Sequence, residues 1–141
     1  MKEATIRQAK KYIFSLIGYK KSTPLYVLTQ DSCSEISRLL GLWLYKKYPK
    51  ARIYIYKGRV RARFHDLLLV EENKVYVIDP TVWQFSKNKK SILIAEEDSL
   101  KDAPTALRRY YGGKWKLSER VRGYSSAEIK KFEDTIKKNI A

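Results

Sequence analysis

One cysteine and one histidine in 141 residues exclude several classes of protein at once. A single thiol cannot close an intrachain disulfide, and one cysteine with one histidine cannot make a standard structural zinc site. No clustered ligand spacing suggests another metal, and no cofactor is implied. Apolar runs are short, and none approaches the length of a membrane span. Lys2, Arg7, Lys10 and Lys11 interrupt the apolar positions at the N-terminus, which lacks the continuous apolar centre of a signal peptide. Internal repeats and low-complexity linkers are also missing. The expectation is a single domain over residues 1–141, large enough for a core without staples, with no membrane partner. It would be cytoplasmic, which for a viral protein means the host cell cytoplasm.

Negative charge is scarce too. Fifteen Asp and Glu stand against thirty Lys and Arg, giving a formal charge of +15. Such a balance attracts polyanions and acidic partners. It reads either as an ordinary solvated surface or as an interface for an acidic or nucleic-acid partner, with eleven tyrosines available for stacking. Arg59, Arg61 and Arg63 alternate with Val60, Ala62 and Phe64 after a turn expected at Gly58, so one strand would carry a basic face. That face suits either an edge that discourages strand addition or the wall of a substrate groove.

Helical periodicity marks both ends of the chain. Ile6, Ala9, Ile13, Leu16 and Ile17 form an apolar stripe closed by Gly18; Ile129, Phe132 and Ile136 form another, opened by a capping box of Ser125 and Glu128. Between them, short strands are expected at Ala51 to Tyr56 and at Ile92 to Ile94, with Tyr26 to Leu28 as a short extended piece. The run Glu96-Glu97-Asp98 has the composition of a helix cap, and a short helix follows from Asp102 or Thr105 to Tyr111. Gly112-Gly113 lacks the setting of a phosphate loop and reads as a turn.

The stretch from Asp31 to Phe85 holds both scarce residues. Ile36, Leu39, Leu40, Trp43 and Leu44 recur at helical spacing, and Ser32 with Glu35 is spaced as a capping box, so Cys33 falls in the first turn of a helix. Unpaired N–H groups and the positive end of the helix dipole there favour a thiolate, the nucleophilic form. Downstream, two runs rich in Leu, Val and Ile flank Glu71-Glu72-Asn73. With those three residues as the loop, Leu67 pairs with Val77 and His65 lies directly opposite Asp79. The carboxylate can then hold the imidazole while its other nitrogen takes the proton from Cys33.

A cysteine opening a helix, a histidine early in one strand and an aspartate ending the next resemble the transglutaminase-like branch of the papain-like cysteine enzymes. Val77-Ile78-Asp79-Pro80-Thr81 with Gln84-Phe85 is similar to the aspartate segment of small prokaryotic and viral members. The resemblance covers the middle third of the chain. It implies Cys33 as nucleophile, His65 as base and Asp79 as orienting acid. The implied fold is α+β: the cysteine helix packed on an antiparallel β-sheet of a papain-like or transglutaminase-like core, with N- and C-terminal helices. By residue type, Gln30 is the oxyanion candidate, although the N–H of Cys33 can serve without it. Arg63 and Trp83 are the cleft candidates, although an aromatic at the place of Trp83 is more often core. The activity expected is cleavage or transfer of an amide-linked acyl group from a protein or peptide substrate. The competing reading is a basic nucleic-acid-binding or interaction module on the same fold with a non-catalytic triad.

Overall fold

The computed structural model describes residues 1–140 and has an α+β architecture of five helices and one five-stranded antiparallel sheet. The helices are α1 (Glu3–Leu16), α2 (Leu25–Leu28), α3 (Cys33–Lys47), α4 (Ala103–Tyr111) and α5 (Ser126–Ile140). The strands are β1 (Arg52–Val60), β2 (Arg63–Glu71), β3 (Val75–Ile78), β4 (Leu93–Glu97) and β5 (Lys114–Arg120), in the order β4-β3-β2-β1-β5. No described helix is long and apolar enough to cross a membrane.

The terminal helices follow their sequence signals. At the end of α1, Gly18 takes φ +57° and the N–H of Tyr19 returns to the carbonyl of Phe14 at 3.0 Å. This is a Schellman closure, and the rings of Phe14 and Tyr19 stack across it at 4.4 Å. At the start of α5 the expected capping box forms on both sides: Ser125 N–H to Glu128 Oε1 at 2.9 Å, and Glu128 N–H to Ser125 Oγ at 3.1 Å.

Helix α3 lies close against β1 and β2. Its residue Gly41 leaves room for that approach, since a Cβ there would stand 3.1 Å from both Leu68 and Val121. Ser37 donates to the backbone carbonyl of Asp66 at 3.1 Å, and Arg38 bridges Asp66 at 2.9 Å and Glu119 at 2.6 Å. Residues 65 to 70 of β2 are all buried, so the central strand is covered on both faces, and Leu67 to Val70 form a continuous apolar run.

The sheet departs from expectation in register, in turns and in one strand. Leu69, not Leu67, pairs with Val77, so the pairing is offset by two residues and the β2–β3 loop lies one residue later than expected. A slip of two keeps every side chain on its face, whereas a slip of one would have separated His65 from Asp79. Gly58 is interior to β1; the turn is Arg61-Ala62, both at positive φ, joining β1 to β2 as a two-residue hairpin. Gly58 serves a different need, because the Trp115 ring of β5 lies where its Cβ would be, at 2.5 Å. Tyr26 to Leu28 belong to the one-turn helix α2 rather than to an extended piece. Glu96 and Glu97 belong to β4 and pair with Lys74 and Arg109 instead of capping a helix.

Candidate active site

Strand β3 stops at Ile78, so residues Arg63 to Leu67 of β2 have no partner on that side. The segment leading into α3 and the start of that helix meet this end of β2. Thr29, Asp31 and Cys33 line one cavity of about 310 Å³ together with Arg63, Phe64, His65 and Gln84. A larger cavity of about 490 Å³, bounded by Met1, Tyr48 and Val70 among others, lies toward the other end of β2 and holds no thiol or imidazole.

Asp31 turns the chain into the helix. Its φ of +59° is one that Asp tolerates, and its carbonyl accepts from Asn139 of α5 at 2.9 Å. The expected capping box at Ser32 is not formed. Its hydroxyl instead accepts from Asn139 at 3.1 Å and donates toward the Gln30 carbonyl at 3.4 Å. The first N–H groups of α3, that of Cys33 among them, have no intrahelical acceptor and point out of the helix start. Cys33 itself is partly accessible.

His65 and Asp79 are joined directly. Imidazole Nε2 lies 2.7 Å from Asp79 Oδ2, with the histidine 2 % and the aspartate 0 % exposed. Asp79 does not sit opposite His65; continued along the ladder it aligns with Leu67, and it reaches the imidazole diagonally. Its N–H is held by the Ile92 carbonyl at 2.9 Å. The Thr81 N–H donates to Oδ1 at 3.0 Å, with the Thr81 hydroxyl at 3.5 Å, and the Tyr111 hydroxyl donates to Oδ2. The buried carboxylate thus meets several donors, which is what a desolvated anion requires.

With Nε2 turned to Asp79, Nδ1 is left free, and His65 lines the same cavity as Cys33. Burial opposes a charge on this imidazole, but Asp79 by charge and hydrogen bond, and then Cys33, outweigh it. The histidine pKa is raised to about 10. Three aromatic rings enclose the imidazole: Phe85 edge-on at 4.8 Å, Tyr111 at 5.8 Å and Trp115 edge-on at 6.3 Å. Tyr111 ends α4 and Trp115 opens β5, so the Gly112-Gly113 turn delivers both. Gly113 is at φ +74°, and a Cβ there would stand 2.2 Å from the Arg59 carbonyl. Burial first, and then Asp79, push the Tyr111 hydroxyl far above the ordinary phenol range, so it remains a donor.

The expected triad, Cys33, His65 and Asp79, comes together, and Arg63 lines the cleft with its guanidinium 5.5 Å over the Phe85 ring. Gln30 and Trp83 do not join them. Gln30 is exposed and lies outside the cavity lining, on the far side of the left-handed residue Asp31 in the chain. Trp83 is 1 % exposed, packs near Phe14 and donates to the Lys89 carbonyl at 3.0 Å; it belongs to the core. Gln84 and Thr29 line the cleft instead. The Gln84 amide donates to the Tyr26 carbonyl at 2.7 Å and to Thr29 Oγ1 at 2.9 Å. Among the described residues, no group of three or more His, Cys, Asp or Glu could hold a metal.

No protein-family model, curated protein or solved structure matches the chain.

Proposed function

We propose that the chain is a thiol enzyme of papain-like or transglutaminase-like design that cleaves or transfers an amide-linked acyl group. The observation that carries this reading is one buried imidazole that is hydrogen-bonded to Asp79 through one nitrogen and lines a single cavity with the Cys33 thiol. An orienting acid on one nitrogen of an imidazole and a thiol in the cavity at its other side are what general acid–base transfer to sulfur requires.

In the proposed cycle the Cys33 sulfur, its proton already held on His65, attacks the substrate carbonyl carbon. The negative oxygen of the tetrahedral intermediate is met by the free N–H groups at the start of α3. The imidazolium then protonates the leaving amine as the C–N bond breaks, leaving an acyl-thioester on Cys33. Water or a second amine attacks the thioester, giving its proton to His65, and the thiol is regenerated with acid or new amide as product. Asp79 keeps the ring in the orientation that presents Nδ1 to sulfur. Tyr111 and Thr81 keep Asp79 in place.

Alkylation with iodoacetamide at pH 6 tests the reading directly, because Cys33 is the only thiol in the chain. The wild type is expected to react about tenfold or more faster than His65→Ala, since loss of the base leaves an ordinary thiol mostly protonated at that pH. Equal rates in two folded proteins would overturn the proposal.

A further inference from the structure

Beyond the start of α3, the sheet carries an arrangement that sheets ordinarily avoid. Lys57 of β1 pairs with Lys116 of β5, and Arg59 pairs with Lys114, so two cation pairs face each other across neighbouring strands. Like charges in opposed positions destabilise a sheet. Phe64 pairs with Arg59 on the same face; it is 66 % exposed and sits under the guanidinium at 5.8 Å. Lys57 has one acidic neighbour, Asp66 at 3.8 Å, already bound by Arg38. Arg59, Lys114 and Lys116 have no ion-pair partner among the described residues. These side chains line a shallow groove of about 300 Å³, and Phe64 also lines the cavity of Cys33 and His65. One ligand can therefore lie across both.

We propose that this groove binds an acidic, extended polypeptide segment beside the bond presented to Cys33, making an acidic protein or peptide the substrate class. The inference rests on the thiol reading for its catalytic meaning, though not for the binding itself. The spacing supports a peptide. Lys57 and Arg59, like Lys114 and Lys116, are two residues apart on one strand, roughly 6.6 Å, and alternate side chains of an extended ligand recur at the same rise. Carboxylates at every second position of the ligand would each meet a cation. Single-stranded nucleic acid is a poorer match, because it is held by successive stacking rings. The groove offers two rings, and neither is a free platform: Arg59 covers Phe64, and Trp115 is packed over Gly58.

The test uses the full chain and a short labelled peptide of alternating Glu and Ala, with the Gln-Ala peptide and a labelled single-stranded oligonucleotide as comparisons. Anisotropy is expected to show binding of the Glu-Ala peptide that weakens with salt, and much weaker binding of the Gln-Ala peptide. Lys114→Gln/Lys116→Gln should weaken it about tenfold or more, while Lys137→Gln/Lys138→Gln, which removes the same charge from α5, should leave it unchanged. Cys33→Ser should also bind normally, so a failure of the thiol chemistry is distinguishable from a failure of the groove. Bound peptide should slow alkylation of Cys33 in the wild type and not in the Lys114/Lys116 variant. Equal loss in both lysine variants, equal affinity for the Gln-Ala peptide, or tighter binding of the oligonucleotide would overturn the proposal.

Discussion

Tyr111 donates its hydroxyl hydrogen bond to the same Asp79 oxygen that His65 meets, so the orienting carboxylate is shared between the imidazole and the end of α4. A donor to a buried anion contributes more than an ordinary hydrogen bond, on the order of 1.5 to 3 kcal/mol. Tyr111→Phe keeps the ring against His65 and removes only that donor. The expected result is a lower urea midpoint with an unchanged slope, and wild-type stability in the variant would show that the bond contributes nothing.

The elevated histidine pKa fixes the sign of a pH effect. The unfolded chain binds this proton below about 6.5 and the folded chain keeps it to about 10. The stabilisation is therefore complete below the unfolded value and is lost as pH rises toward the folded one, by up to about 1.4 kcal/mol for each pH unit between them. Denaturation of wild type and His65→Gln at several pH values checks this. The difference in stability between the two should shrink steadily on going from pH 6.5 to 10, and a constant difference would contradict it.

Gly58 is required by its neighbour. With the Trp115 ring 2.5 Å from where a Cβ would sit, Gly58→Ala must displace either the ring or the strand, a cost of about 1 to 3 kcal/mol. In a Trp115→Ala background the same substitution should cost much less. A double-mutant cycle by thermal or urea unfolding measures that coupling, and additive effects would mean that the clash is not what makes glycine necessary.

The hairpin joining β1 to β2 places Arg61 and Ala62 at φ +51° and +66°, where a Cβ is disfavoured. Ala62→Gly removes that strain at the cost of greater freedom in the unfolded chain. A net gain of roughly 0.5 to 1 kcal/mol, read as a higher Tm, is expected.

Those substitutions also mark where the sequence was readable. Helix α3 and the position of Cys33 at its start follow from the spacing of Ile36, Leu39, Leu40 and Leu44, and the shared face of His65 and Asp79 survives a two-residue error in register because strand periodicity is two. The Ser32 cap was misjudged because Asn139, more than a hundred residues away, takes the hydroxyl that local spacing assigns to the helix. Strand β5 carries only a short alternation, Lys114-Trp115-Lys116-Leu117-Ser118, and as an edge strand it is largely exposed, so burial imposes little pattern on it. With β5 unseen, neither Trp115 over Gly58 nor the paired cations could be anticipated. Tyr111 was visible only as a helix-ending residue, and nothing nearby in sequence points it toward Asp79. Residue type and proximity to Cys33 favour Gln30, but neither reveals the left-handed backbone at Asp31 between them.

The Gly112-Gly113 turn has a consequence for the order in which reactivity develops. Sulfur, imidazole and carboxylate all lie within the first 79 residues, but two of the rings that enclose the imidazole arrive only when the end of α4 and the strand after it fold back beside β1. A chain emerging from the ribosome would carry the nucleophile well before its surroundings were complete, so its chemistry would awaken late, after the final strand had docked.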